Sequence, residues 1–315
     1  MYWNFSQIAP PQPAVRFGAK SGRIVAEIGF GNGEFLQYLA KSKTDSLVVG
    51  IEISQWCVTK AARRSLALRA DNIRLLHGDA RYLLKYAFEP ESISEVFMNF
   101  PCPWPKKRHE ERRVTRGGFA RLLWSRLEEG GAFNLATDVD WYAEAAGKAF
   151  SETGGFAASP PERNGLRDYV TKYERKWRAM GRDIYTLRAL KTAISAEGEK
   201  IVEEGMPFIG EHEAEISRPL AGRDLRAAVA GLEGENIEGP GYIAVFRDVF
   251  AGERGDSLVK VISTDEGFEQ HFYLRIRENS GKIKVSADAV GKPYHTPGVR
   301  AAIRHAAKRL SATHI

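Results

Sequence analysis

Cysteine is scarce in this chain, with Cys57 and Cys102 the only two among 315 residues. Two cysteines cannot build a disulfide framework, so a reducing compartment, the cytoplasm, is the expected setting. No apolar run approaches the ~18 residues of a membrane-spanning helix. The opening MYWNFSQIAPPQP lacks the basic-then-apolar order of a secretion signal. A membrane partner is therefore not expected. No His/Cys spacing suggests a metal site, and neither an internal repeat nor a low-complexity tract is evident. A large excess of one charge is also missing. The net charge is +6 and the pI is near 9.2, which permits a polyanionic partner without requiring one.

The length is too great for one small domain and suits two, and the 43% apolar and 27% charged residues are ordinary for a folded chain. The charge is unevenly placed: residues 1–196 carry +9 and residues 197–315 carry −3. Residues 1–22 are Pro-rich and read as an N-terminal arm. From Arg23, apolar runs at Ile24–Ile28, Leu47–Ile53, Ile73–Leu76, Ile93–Phe100 and Ala132–Ala136 alternate with helical stretches. Those stretches are Glu34–Lys41, Gln55–Ala70, Arg81–Ala87, Arg116–Glu128 and Trp141–Glu152. This alternation predicts parallel βαβ units in a doubly wound sheet, with ligands beyond the strands' C-terminal ends. A Gly/Pro-bearing, mobile-looking stretch, Thr153–Gly165, leads into a basic amphipathic segment, Lys172–Lys191. Beyond it, strand-like runs at Tyr242–Phe250, Leu258–Ser263 and His271–Ile276 and a closing helix at Val299–Leu310 predict a separate α+β domain. The expected domains are 23–195 and 196–315.

VAEIGFGNGEFL places Gly29, Gly31 and Gly33 on the turn from the first strand into its helix, where backbone N–H groups can approach a ligand. Such a loop alone is weak evidence, since turn glycines are often steric and the third comes early for G-x-G-x-x-G. Glu27 adds to it: an acid at the end of a buried strand needs a donor such as a ligand ammonium or a backbone N–H. Glu52 ends the second apolar run, where an acid accepts both hydroxyls of a ribose. That geometry serves NAD and S-adenosylmethionine alike. Asp79, in HGDARYL after the third strand, stands where an adenine amino group is met, although alone it reads as a helix cap. Three acids at three successive strand ends point to an adenosine-bearing cofactor.

The fourth strand ends in NFPCPWPKKRHEERR, Asn99–Arg113. Three prolines stiffen this loop, Trp104 offers a stacking face, and eight Lys/Arg against two acids lie between Lys106 and Arg126. A charge run is usually a solvated helix face, but Arg and Lys beside an aromatic at the reactive end of the sheet suit RNA phosphates. Other candidates have simpler readings: Asp138 and Asp140 as caps of the helix at Trp141, Tyr173 and Trp177 as core on a helical stripe, and Cys57 as core.

Together EIGFGNGEFL, GIEI, GDA, NFP-x-PWPKKRH-x-x-RR, ATDVDWYAE and TKYE resemble the bacterial tRNA (guanine-N7-)-methyltransferase family over about residues 23–192. The resemblance implies a class I fold dependent on S-adenosylmethionine (SAM), with a Rossmann-like doubly wound sheet, and methylation of guanine N7 in the tRNA variable loop. It assigns Glu27, the Gly29–Gly33 loop, Glu52 and Asp79 to SAM. It assigns Lys106, Asp138, Thr171 and Glu174 to the guanosine, leaving Lys107, Arg108, Arg112 and Arg113 for phosphates. One departure stands out: Cys102 occupies the position of a family aspartate with a SAM-site or catalytic role. Guanine N7 carries an available lone pair, so attack on the SAM methyl needs no deprotonation, and the change is expected to retain or reduce activity without abolishing it. Two alternatives remain open: a cytosine-C5 RNA methyltransferase with Cys102 as nucleophile, and an RNA-binding relic that keeps SAM without turnover. Monomer and homodimer are both open.

Overall fold

Strands β2 (Ile24–Ile28) and β3 (Leu47–Glu52) are buried at every position, as befits parallel strands covered on both faces. The computed structural model describes residues 2–4, 22–104, 113, 117–192, 213–216, 225–252, 256–265, 268–279, 282–288, 293–294 and 296–311. The chain divides into two units, Met1–Met206 and Pro207–Ile315.

In the first unit, helix α1 (Glu34–Ser42) follows β2, α2 (Gln55–Ala67) follows β3, and α3 (Ala80–Ala87) follows β4 (Ile73–His77). The chain then crosses to β5 (Ile93–Asn99), α4 (Gly117–Arg126), β6 (Leu127–Thr137) and α5 (Asp140–Ser151). Short strands β7 (Phe156–Ala158) and β8 (Glu162–Arg163), helix α6 (Lys172–Ala179) and β9 (Tyr185–Lys191) complete it. With β1 (Tyr2–Asn4), the strand order is β1-β4-β3-β2-β5-β6-β9-β7, and β8 pairs with β9. Pairing is parallel from β1 to β6, whereas β9 runs antiparallel to both β6 and β7. The order reverses at β2, so the loops after β2 and β5 part there and open a crevice. Phe35, Leu36 and Leu39 of α1 and Val58 and Ala61 of α2 pack with Val25, Val48 and Leu75 of the sheet.

Four sequence expectations change. Tyr2–Asn4, inside the segment read as an arm, pairs in parallel with β4. The stretch Thr153–Gly165 holds two sheet strands. The segment Lys172–Lys191 is helical only to Ala179 and then becomes β9, where alternate burial disguises a strand among basic residues. Lys191 is itself buried, and its Nζ donates to Glu91 Oε1 at 2.8 Å and to the Leu127 carbonyl at 2.7 Å. Cys57, read as core, is half-buried.

The second unit is an antiparallel sheet in the order β10-β15-β14-β13-β12-β11. Its strands are β10 (Glu213–Ile216), β11 (Asn236–Gly239), β12 (Tyr242–Ala251), β13 (Ser257–Asp265), β14 (Phe268–Asn279) and β15 (Lys282–Ala287). Helix α7 (Leu225–Ala230) precedes β11 and helix α8 (Pro297–Ser311) follows β15. Here burial alternates, strictly so along β13, and Val299, Ile303, Ala306 and Leu310 of α8 pack with Phe246, Val261, Phe272 and Leu274. Buried Asp265 accepts from Thr296 Oγ1 at 2.7 Å and from the Gly298 N–H at 2.6 Å, fixing the start of α8.

Candidate active site at the sheet switch point

The three glycines of the first loop do different work. All have positive φ, but a Cβ on Gly33 would sit 2.9 Å from the Ala61 Cβ, so Gly33 is needed for packing against α2. A Cβ on Gly29 (φ +70) or Gly31 (φ +54) would meet nothing within 4 Å. Those two keep a left-handed backbone below open space.

Glu27 lies beneath this loop, 2% exposed. Burial pushes its carboxyl up to about 8; the Asn99 amide opposes this, the nearby charge of Glu52 adds to it, and Arg167 opposes it least. The Asn99 amide is near enough to favour the charged form, yet neither Glu27 Oε2 nor Asn99 Nδ2 completes a hydrogen bond. A buried carboxylate oxygen without a donor is costly. Glu52 differs: its Oε2 accepts from the Gly31 N–H at 3.0 Å and its Oε1 from the Ser54 N–H at 2.9 Å. The backbone N–H of Gly78 donates to the Glu52 carbonyl at 3.0 Å, which brings the Asp79 turn alongside. Asp79 does cap α3, accepting from the Arg81 N–H at 2.8 Å, and its Oδ2 takes the Arg81 guanidinium at 2.7 Å.

Across the crevice, Phe100 (φ 53) and Trp104 (φ 46) flank the proline pair in the left-handed region, which non-glycine residues enter only under constraint. The Phe100 N–H donates to the Ala136 carbonyl at 2.7 Å, tying the loop to β6. Cys102 is exposed on it. The Arg113 Nε donates to the Trp104 carbonyl at 3.0 Å, and its guanidinium lies 5.3 Å from the centre of the Trp141 ring. Lys106, Lys107, Arg108 and Arg112 lie outside the described residues.

The TKYE motif forms the first turn of α6. Thr171 caps it by accepting the Glu174 N–H at 3.1 Å. Glu174 is fully buried, with Oε2 on Arg167 Nη1 at 2.9 Å and Oε1 on the Arg178 guanidinium at 2.9 and 3.0 Å. Arg167 then donates through Nη2 to Asn99 Oδ1 at 2.6 Å. A continuous polar chain therefore runs from Arg178 through Glu174, Arg167 and Asn99 toward Glu27. Asn99 and Arg167 received no role from the sequence. A lone arginine beside a Gly/Pro-bearing stretch carries no local signal, and its partners are distant in sequence. Asp138 does not cap α5, whose N-cap residue is Val139; it accepts from Arg182 Nη1 at 2.5 Å. Asp140 Oδ1 instead accepts the Trp141 N–H at 2.6 Å.

A parallel sheet with one antiparallel strand inserted before the last, and acids at the ends of its strands around a glycine turn, defines a class I methyltransferase. Residues 21–187 match a family model described as "Putative methyltransferase". A tRNA (guanine-N(7)-)-methyltransferase of Thermotoga maritima is 37% identical over 302 residues, covering 94% of this chain and 91% of that protein. Its namesake in Thermus thermophilus is 33% identical over 305 residues, covering 96% and 93%. The Nitrosococcus oceani enzyme of that name is 36% identical over 179 residues, 57% of this chain and 75% of its own. The chain belongs to the tRNA (guanine-N7-)-methyltransferase family. The matches to the first two extend through the second unit.

Proposed function

We propose that this chain transfers the methyl group of SAM to N7 of a guanine in the tRNA variable loop, with the cofactor held over β2 and β3. The observation that carries the assignment of the site is the donorless Glu27 Oε2 beneath the open Gly29–Gly31 turn. An α-ammonium is the donor this oxygen lacks, the open turn leaves room for the methionine moiety, and Glu52 retains lone pairs for ribose hydroxyls. SAM fits these residues and, when bound, supplies an electrophilic methyl on a sulfonium. Asp79, in the turn after β4, is the candidate for the adenine amino group.

The remaining work is positioning. Guanine N7 is a neutral sp² nitrogen, so neither a general base nor a covalent intermediate is required, and orientation is the main contribution. Thr171 and Glu174, with their inward partners, act on the guanosine indirectly: they fix α6 and hold Arg167 against Asn99 at the end of β5. Asp138 and Lys106 remain candidates for direct contact, and Arg113, Lys107, Arg108 and Arg112 for phosphates. Exposed Cys102 is dispensable for this chemistry. Among the described residues no helix is long and apolar enough to cross a membrane.

The test is incubation of the full chain with unmodified bulk tRNA and methyl-labelled SAM, followed by nucleoside analysis and mapping of the modified position. The expected product is 7-methylguanosine in the variable loop. 5-Methylcytidine would instead make Cys102 a nucleophile, and no product would leave a binding relic.

A further inference from the structure

Tyr173 and Trp177 share the helical stripe that the sequence suggests for core, but the stripe faces out. Leu166, Val170, Tyr173 and Met180 are 105%, 37%, 55% and 59% exposed, and Trp177 is half-buried. Tyr173 and Trp177, four residues apart, share one side of α6, with Met180 at its C-cap and Leu166 and Val170 in the segment leading into it. Apolar and aromatic side chains left in water so close together mark an interaction surface rather than scattered exposure.

The charge around the stripe names the partner. Lys172, Arg175, Lys176, Arg178 and Arg182 all lie exposed within eleven residues, and the one acid among them, Glu174, is buried beneath. Arg175 is engaged by Glu34 at 3.1 Å, Arg178 by Glu174 at 2.9 Å and Arg182 by Asp138 at 2.5 Å, whereas Lys172 and Lys176 are exposed and pair with no acid among the described residues. Trp177 is gripped by two cations, with Lys176 Nζ 4.5 Å and the Arg182 guanidinium 4.3 Å from its ring centre. A second copy of the chain docking stripe to stripe would bring Lys172 and Lys176 against their own copies, which disfavours a symmetric dimer here. A polyanion carrying flat rings answers both features, because bases stack on aromatics while phosphates meet the flanking lysines.

We infer that the outward face of α6 is a stacking platform for unpaired tRNA nucleotides flanking the target guanine, with Tyr173 and Trp177 taking bases and Lys172 and Lys176 taking phosphates. This rests on the tRNA reading above and goes beyond it, since the TKYE motif then contributes its contact through Tyr173 rather than through buried Thr171 and Glu174. The Thr171 cap and the Glu174–Arg167–Asn99 chain hold the platform at the rim of the candidate active site.

The experiment is equilibrium binding of an unmodified tRNA transcript to the full chain at several salt concentrations, with SAM affinity, helical content and sedimentation measured alongside. Tyr173→Ala and Trp177→Ala should each weaken tRNA binding by about tenfold, the effect of losing one stacked base, while Tyr173→Phe stays within about twofold of the parent. Lys172→Gln with Lys176→Gln should reduce the slope of log affinity against log salt by about 0.7 per lysine. The lysine pair keeps the test alive if Trp177→Ala perturbs the helix. Unchanged affinity and salt slope would overturn the platform, as would a Tyr173→Ala variant that breaks a dimer yet keeps its tRNA affinity. A parent that makes 7-methylguanosine while its variants bind tRNA normally contradicts the platform alone. A parent that makes none while its variants lose tRNA contradicts the methylation reading alone.

Discussion

Glu27 and Glu174 are both buried glutamates in the same unit, and they could hardly be more differently treated. Glu174 has both oxygens on guanidinium groups of Arg167 and Arg178. Glu27 has an oxygen with no donor, and burial raises its carboxyl to about 8. A buried acid whose partners come from the chain itself is a strut, because its cost is met within the fold. A buried acid left short of a donor marks where something else must bind. The family motifs treat both as site residues, and the geometry separates them.

That contrast can be broken in order of effect. Glu174→Gln should cost about 3 kcal/mol of folding stability, since it strands two arginines that its charge compensates. Urea unfolding reads this, and SAM affinity should change little. Glu27→Gln should do the reverse, lowering SAM affinity roughly 100-fold by removing the ammonium's counter-charge while the folded protein tolerates the neutral amide. Its pH dependence has a definite sign. A raised carboxyl stabilises the fold through its protonated form, fully so below about 4.5, and that contribution is lost as pH rises through about 8. Parent stability should therefore fall across this window more steeply than that of Glu27→Gln in thermal melts. Gly31→Ala should cost about 1 kcal/mol from its left-handed backbone, and its methyl should intrude on the space the cofactor uses. Calorimetric titration with SAM would register both. Cys102→Ser should leave 7-methylguanosine formation within about twofold, because attack by N7 uses no nucleophile of the protein. Cys102→Asp, which restores the family residue, tests whether this position limits the rate: turnover no faster than the parent's would exclude that.

The sequence made the parallel half of the sheet legible for a physical reason. β2 and β3 are covered on both faces, so they read as unbroken apolar runs and an acid at either end stands out. Glu27 and Glu52 were visible for that reason. β9 was hidden because its exposed positions, Arg188 and Leu190, are one basic and one apolar, while its other cation, Lys191, is buried. No clean polar–apolar alternation therefore separates it from the basic helix α6. Asp79 caps the helix α3, the simpler of its two readings, and its bonds to Arg81 say nothing of the second. Arg167 and Asn99 could not be found from sequence, as their meaning lies in a hydrogen bond spanning 68 positions. The exposed stripe of α6 shows the same limit, since helical spacing identifies a face without saying which way it points.

If Glu27 stands ready for the cofactor's ammonium, SAM binding must change the number of protons the protein holds. At pH 7 the unliganded carboxyl should be largely protonated, and pairing with the ammonium requires it ionised. Titrating SAM into the protein in buffers of different ionisation enthalpy should show close to one proton released by the parent and none by Glu27→Gln. Equal proton release from the two, or none from the parent, would contradict it.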